Sequence, residues 1–105
     1  MRTVSALLKH KGRVYVYLHG SNLGRLFLKQ AEEEGFTFSD GAKPTEREWD
    51  SVFALNRDWT INYVGYVGRI AFRCAKMVGK EMLIRVDYGQ YLCGAKDYLI
   101  KPDRA

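Results

Sequence analysis

The sequence predicts an α+β domain: an antiparallel β-sheet, with a meander in its C-terminal half, packed against one main helix and a second short one. Three observations carry this. Residues 59–91, WTINYVGYVGRIAFRCAKMVGKEMLIRVDYGQY, break into short alternating runs, each closed by a glycine-bearing turn. Arg13 to His19, RVYVYLH, alternates along its whole length. Residues 23–34 repeat apolar side chains at i, i+3 and i+4, the period of an amphipathic helix.

A chain of 105 residues is read as one domain, residues 1–105, with room for a single core. An apolar content of 47% is that of a folded globule and excludes wholesale disorder. No apolar run nears the roughly 20 residues that span a bilayer. The opening MRTVSALLKHKG has neither a long apolar stretch nor a cleavage site. The expected setting is the cytoplasm of a bacterial host cell, with no membrane partner. Cys74 and Cys93 are too few for a disulfide framework or a zinc site. Inside the expected strands each is a buried reduced thiol, and a bond between the two is the alternative.

In chain order, residues 3–8 are read as a first strand, turned at Lys11-Gly12. In RVYVYLH, Val14, Val16 and Leu18 point to the core, and Tyr15, Tyr17 and His19 point the other way. A second packed layer accounts for the tyrosines better than an exposed aromatic strip. Gly20-Ser21-Asn22 breaks the strand, and Ser21 or Asn22 caps the helix that follows. Leu23, Leu26, Phe27 and Ala31 form that helix's apolar stripe. Gly35 is its C′ residue, and Phe36 folds back onto the last turn. Phe36-Thr37-Phe38 is a short extended segment ended at Asp40-Gly41. Thr45 and Glu48 have the spacing of a capping box, N-cap and N3 of the short second helix. Trp49, Val52 and Phe53 share one face of it, although residues 51–55 read equally well as strand. After a turn at Asn56-Arg57-Asp58 the meander begins. Its inward sets are Trp59, Ile61 and Tyr63, then Ile70, Phe72 and Cys74, then Met82, Ile84, Val86 and Tyr88. Gly89-Gln90 turns into a last strand, residues 91–93, and the tail from Lys96 extends it or lies across an edge.

Charge is distributed in blocks. Residues 1–31 hold six Lys/Arg and no acid, residues 32–50 seven acids against two cations, and residues 51–105 nine cations against five acids, which gives the net +5. Such blocks are either a solvated surface or a pattern that steers an oppositely charged partner. If the inward faces of the meander match, Arg73 lies opposite Arg85, with Arg69 two residues along and Lys76 and Lys80 at the rim. Like charges across a sheet are destabilising. Such a cluster suits phosphates or carboxylates, because guanidinium makes paired hydrogen bonds. The plainer reading is a sheet face kept soluble by arginine.

Two further features carry charge chemistry. Glu32, Glu33 and Glu34 occupy the last helical turn, where the macrodipole disfavours negative charge. They are a solvated helix end or an acidic contact for a basic partner. The corner Gly20-Ser21 with Arg25 offers backbone N–H groups to an anion. Its glycine spacing is not that of a P-loop, and an ordinary capped corner explains it too. His10 and His19 stand without HExxH, CxxC or GxSxG, so no enzyme, cofactor or metal site is expected.

The run AEEEGFTFSDGAKPT followed by LNRDWTINYVG, about a third of the chain, resembles small uncharacterised proteins of phages and integrative mobile elements of Gram-positive bacteria. The resemblance implies an accessory or anti-defence role of the anti-CRISPR type, and it assigns no fold or residue. The leading expectation is therefore a non-enzymatic inhibitor that binds a host protein complex, such as a nucleoprotein effector, through residues 32–50 or the arginine face. The alternative is a nucleic-acid or nucleotide binder using Arg69, Arg73, Arg85 and the tyrosines. A small enzyme ranks last, and monomer and homodimer stand equal.

Overall fold

A computed structural model describes residues 2–101. Strand β1 (Arg13–Tyr17) lies inside a sheet with β2 (Thr37–Phe38), β3 (Val52–Leu55), β4 (Thr60–Tyr63), β5 (Met77–Val78) and β6 (Glu81–Asp87). The order is β2-β4-β3-β1-β6-β5. β1 runs antiparallel to β3 and parallel to β6, and β2 runs parallel to β4. The helices among the described residues are α1 (Ser21–Glu34), α2 (Gly65–Cys74) and α3 (Tyr88–Leu92). The class is α+β, but the sheet is mixed where a purely antiparallel one was expected.

Both faces of the sheet are covered, and β1 shows how. Val14, Val16 and Leu18 join the main core with Phe27, Leu28 and Ala31 of α1 and Tyr88 and Tyr91 of α3. Tyr15 enters a smaller cluster on the opposite face with Val52, Ala54 and Leu83, against which Tyr17, Val64, Phe72 and Val78 pack. The alternation in RVYVYLH thus reports two buried layers, with only His19 exposed. In α1 the buried stripe is Gly24, Phe27, Leu28 and Ala31, while Leu26 is 39% exposed. Gly35 closes it in the left-handed conformation with φ 100°, and the Phe36 amide donates to Ala31 O at 2.9 Å.

Several expectations are corrected. The meander is broken because residues 65–74 coil into α2 instead of forming its second strand. GYVGRIAFRC is short and apolar, so an alternating reading and a helical one both fit it. Its small and apolar residues Gly68, Ala71 and Phe72 share one helical face, and Phe72 stacks on Tyr17 with centroids 5.8 Å apart. The expected last strand, residues 91–93, lies at the end of α3 and beyond it, where the Asp87 carboxylate accepts from the Gln90 amide as N-cap. Residues 5–9 form a 3-10 turn, Ser5–Lys9, where a strand was expected. The second helix near Thr45 is a single 3-10 turn, Pro44–Glu46, with Lys43 as its N-cap. The capping box does not form, because the Thr45 hydroxyl donates to the Glu32 carboxylate at 2.6 Å instead. The segment read both ways, residues 51–55, is strand: all four residues of β3 are buried, so VFAL carries no period at all.

The tail does lie along an edge. The Asp87 amide donates to Tyr98 O and the Ile100 amide to Arg85 O, both at 2.8 Å, with an antiparallel bridge between Val86 and Leu99. Tyr98 is then fastened to the N-terminal segment by the His10 Nε2–Tyr98 Oη hydrogen bond at 2.9 Å and by Arg2, whose guanidinium lies 5.1 Å from the ring centre. At the β3–β4 turn, Trp59 takes φ 65°, a conformation costing about 1 kcal/mol or more for a non-glycine residue. Its ring stacks on Phe36 at 4.8 Å, a contact that offsets part of this.

Candidate functional site

The arginines expected on one sheet face are dispersed. Arg69 and Arg73 sit on α2, and β6 pairs with β5 through Met77–Met82 and Val78–Glu81, so Arg73 is not across the sheet from Arg85. Arg69 closes an ion pair with Asp50. Arg85, expected to point outward, is 3% exposed. Its Nε donates to Phe72 O, and its Nη2 donates to Ala75 O and, at 3.1 Å, to Ala71 O. These are carbonyls at the C-terminal end of α2, which carries the negative end of its dipole; Ala71 O also accepts from the Ala75 amide at 2.8 Å, so the guanidinium shares it. Arg85 is thus a clasp that holds α2 to the sheet. Arg73, Lys76 and Lys80 remain at the surface.

The glutamates also have structural work. Glu32 accepts from the Thr45 amide at 3.1 Å and from its hydroxyl. Those bonds, side chain first, hold its carboxyl below the ordinary range. Glu34 accepts from the Val4 amide at 2.7 Å and the Ser5 amide at 2.9 Å, capping the first 3-10 turn. Carboxylates that oppose their own helix dipole are therefore used to satisfy the N–H groups of two neighbouring segments. Glu33 is exposed.

At the corner before α1, Gly20 is the N-cap and makes no side-chain cap, and Ser21 is already helical. Arg25 lines an open cavity of about 280 Å³ with Leu28, Thr45, Arg47, Glu48 and Trp49. Its other polar groups are largely engaged: Arg47 pairs with Asp40 and lies 4.7 Å over the Phe38 ring, and Thr45 serves Glu32. Among the described residues no group of His, Cys, Asp or Glu side chains could hold a metal ion. Cys74 and Cys93 are both free thiols, exposed where burial was expected, because each falls on a helix or its end instead of in a strand. No helix among the described residues is long and apolar enough to cross a membrane.

The surface that stands out is one the sequence reading missed. Helix α2 carries only two charges in ten residues, and Gly68 is its one buried residue. Tyr66 is 80% exposed, Val67 78% and Ile70 46%. Ile70, expected to face inward, points to solvent. At 100° per residue Tyr66, Ile70 and Arg73 share the outward face, flanked by Val67 and Cys74. The spacing of Val64, Gly68, Ala71 and Phe72 was the available signal: it marks a helix packing through small residues, which leaves the large ones outside. Met77 and Met82, at 49% and 61% exposure, pair across β5 and β6 on the sheet face opposite α2.

No protein-family model, curated protein or solved structure matches the chain.

Proposed function

We propose that this protein is a non-enzymatic accessory module that acts by occupying a surface of a larger protein complex, with α2 as its contact element. The observation that carries the reading is the outward face of α2, where Tyr66, Val67 and Ile70 stand in solvent on a helix with little polar character. A helix apolar around most of its circumference is normally buried on more than one side. Clustered large apolar groups on a surface mark interaction sites. The resemblance to proteins of Gram-positive phages and mobile elements supplies the setting, a host defence assembly such as a CRISPR effector.

The test compares capture by the wild-type protein and by the double variant Val67→Asp, Ile70→Asp from a Gram-positive host lysate. Both positions are exposed, so the variant should keep the wild-type unfolding midpoint. A host complex retained by the first and lost by the second supports the reading; an identical set of captured proteins overturns α2 as the contact. The nucleic-acid alternative rests on the exposed Lys76 and Lys80, with Arg73 also at the surface; Arg69 pairs with Asp50 and Arg85 is buried. It requires a gel shift with random oligonucleotides that weakens steeply with salt.

A further inference from the structure

We infer that the partner of α2 is an acidic, amphipathic protein segment, most simply a helix that lays apolar residues at i, i+3 and i+4 on Tyr66, Val67 and Ile70 and places carboxylates over the basic rim. The inference rests on the α2 reading above and adds the chemistry of the occupant.

Charge selects among the candidate occupants. From Trp59 to Lys80 the chain holds Arg69, Arg73, Lys76 and Lys80 and no acid. Arg69 pairs with Asp50; Lys76 and Lys80 are exposed and supply the cations of the rim, and Arg73 also reaches the surface. Arg73 lies one turn from Ile70 and two from Tyr66, on the same outward face. Lys76 stands opposite Leu83 at the edge strand, where its carbonyl accepts from the Leu83 amide at 2.9 Å. Leu83 belongs to the cluster beneath α2, so the register puts Lys76 on the α2 side of the sheet. The apolar stripe is therefore bordered by cations of one sign.

A second copy fits poorly by either route. A two-fold contact through α2 would set one cationic rim against another, bringing like charges together across the paired helices. A head-to-tail contact would draw on the acids left exposed, such as Glu33, Glu46 and Glu48, because Glu32, Glu34, Asp40, Asp50 and Glu81 are engaged by Thr45, by the Val4 and Ser5 amides, and by Arg47, Arg69 and Arg57. No large apolar side chain between residues 27 and 58 is exposed, so that acidic stretch offers no apolar stripe to Tyr66, Val67 and Ile70. A nucleic acid would use the cations but leave Val67 and Ile70 facing phosphate and water, which aliphatic groups do not favour. An acidic helix uses both halves of the surface. The three apolar side chains offer roughly 400 Å², about half the area that each partner of a stable complex commonly buries. The basic rim would supply the rest of the footprint and speed association.

The test is a random peptide library displayed on phage, selected on the wild-type protein and counter-selected on Ile70→Asp. The expected result is enrichment of peptides with apolar residues at helical spacing and a net negative charge. A synthetic copy of an enriched peptide should bind the double variant Lys76→Glu, Lys80→Glu at least ten-fold more weakly. Enriched peptides that are neutral or basic, or that ignore the lysine variant, would overturn the acidic partner while leaving α2 as a contact. Failure to enrich any peptide over Ile70→Asp would remove the contact itself. Sedimentation showing a dimer that Ile70→Asp dissolves would make the second copy the occupant. Binding of a 20-nucleotide oligothymidylate that Ile70→Asp leaves intact would make it nucleic acid. Either result overturns the inference.

Discussion

Exchange of Arg85 for methionine keeps an unbranched apolar stem in the buried site but removes the donors to Ala71 O, Phe72 O and Ala75 O. A hydrogen bond from a charged donor contributes on the order of 1.5–3 kcal/mol, so three of them exceed the net effect. Two terms reduce the sum. Burying the guanidinium costs several kcal/mol in desolvation, which the variant recovers. The carbonyls at the end of α2 are near the surface and can regain water in part. A destabilisation of about 2–3 kcal/mol is the expected balance, with Arg85→Lys near half of it because one ammonium cannot reproduce the fork. Urea unfolding gives the total, and amide hydrogen exchange locates it. Protection of the α2 amides should drop by roughly ten-fold more than that of Val14, Val16 and Val86, since α2 buries only Gly68 and has little else to hold it. An Arg85→Met protein within about 0.5 kcal/mol of wild type, with unchanged α2 exchange, would refute the clasp.

Three other consequences can be measured. A Cβ at Gly24 would lie 2.5 Å from Trp49 Cε3, so Gly24→Ala should destabilise by about 1–2 kcal/mol despite alanine's better helix propensity; a stabilised variant would show that Trp49 moves freely. Glu34→Ala leaves the Val4 and Ser5 amides without their carboxylate and should cost about 2 kcal/mol, read as a lower urea midpoint and faster proteolysis of the N-terminal segment. Burial, and then Lys9, hold the His10 imidazole below its usual 6.5. The unfolded chain therefore takes up the proton more readily, and this contribution to stability is full above about pH 6.5 and lost as pH falls through the depressed value. Unfolding midpoints at about pH 7.5 and 5 should differ more for wild type than for His10→Gln; equal differences would argue against the linkage.

Which parts of the molecule could be read in advance follows from how each segment is buried. α1 has one buried stripe and a glycine that must adopt φ 100°, so period and punctuation agree and its boundaries were legible. β1 alternates because its two faces meet different layers, valines and a leucine on one and tyrosines on the other. β3 is covered on both sides by apolar groups, which erases the alternation that would have marked it as strand. The candidate site was the least legible part. Reading residues 69–74 as strand turned Ile70 inward and lined Arg73 up with Arg85, whereas the helix sends Ile70 out and puts the two arginines on different elements.

Local chemistry alone determined that this chain makes an α+β unit, with an alternating strand feeding a glycine-terminated helix and a basic stretch free of acids from Trp59 to Lys80. Those features depend on neighbours a few residues away, which the sequence displays directly. The tertiary structure decided the state of residues 65–74, the parallel pairing of β1 with β6, and the burial of Arg85. Each depends on a contact between distant segments: Phe72 on Tyr17, Val16 beside Val86, the Arg85 guanidinium on the last carbonyls of α2. A short apolar segment without a period of its own takes the conformation that its distant neighbours can satisfy, and here that put large side chains into solvent.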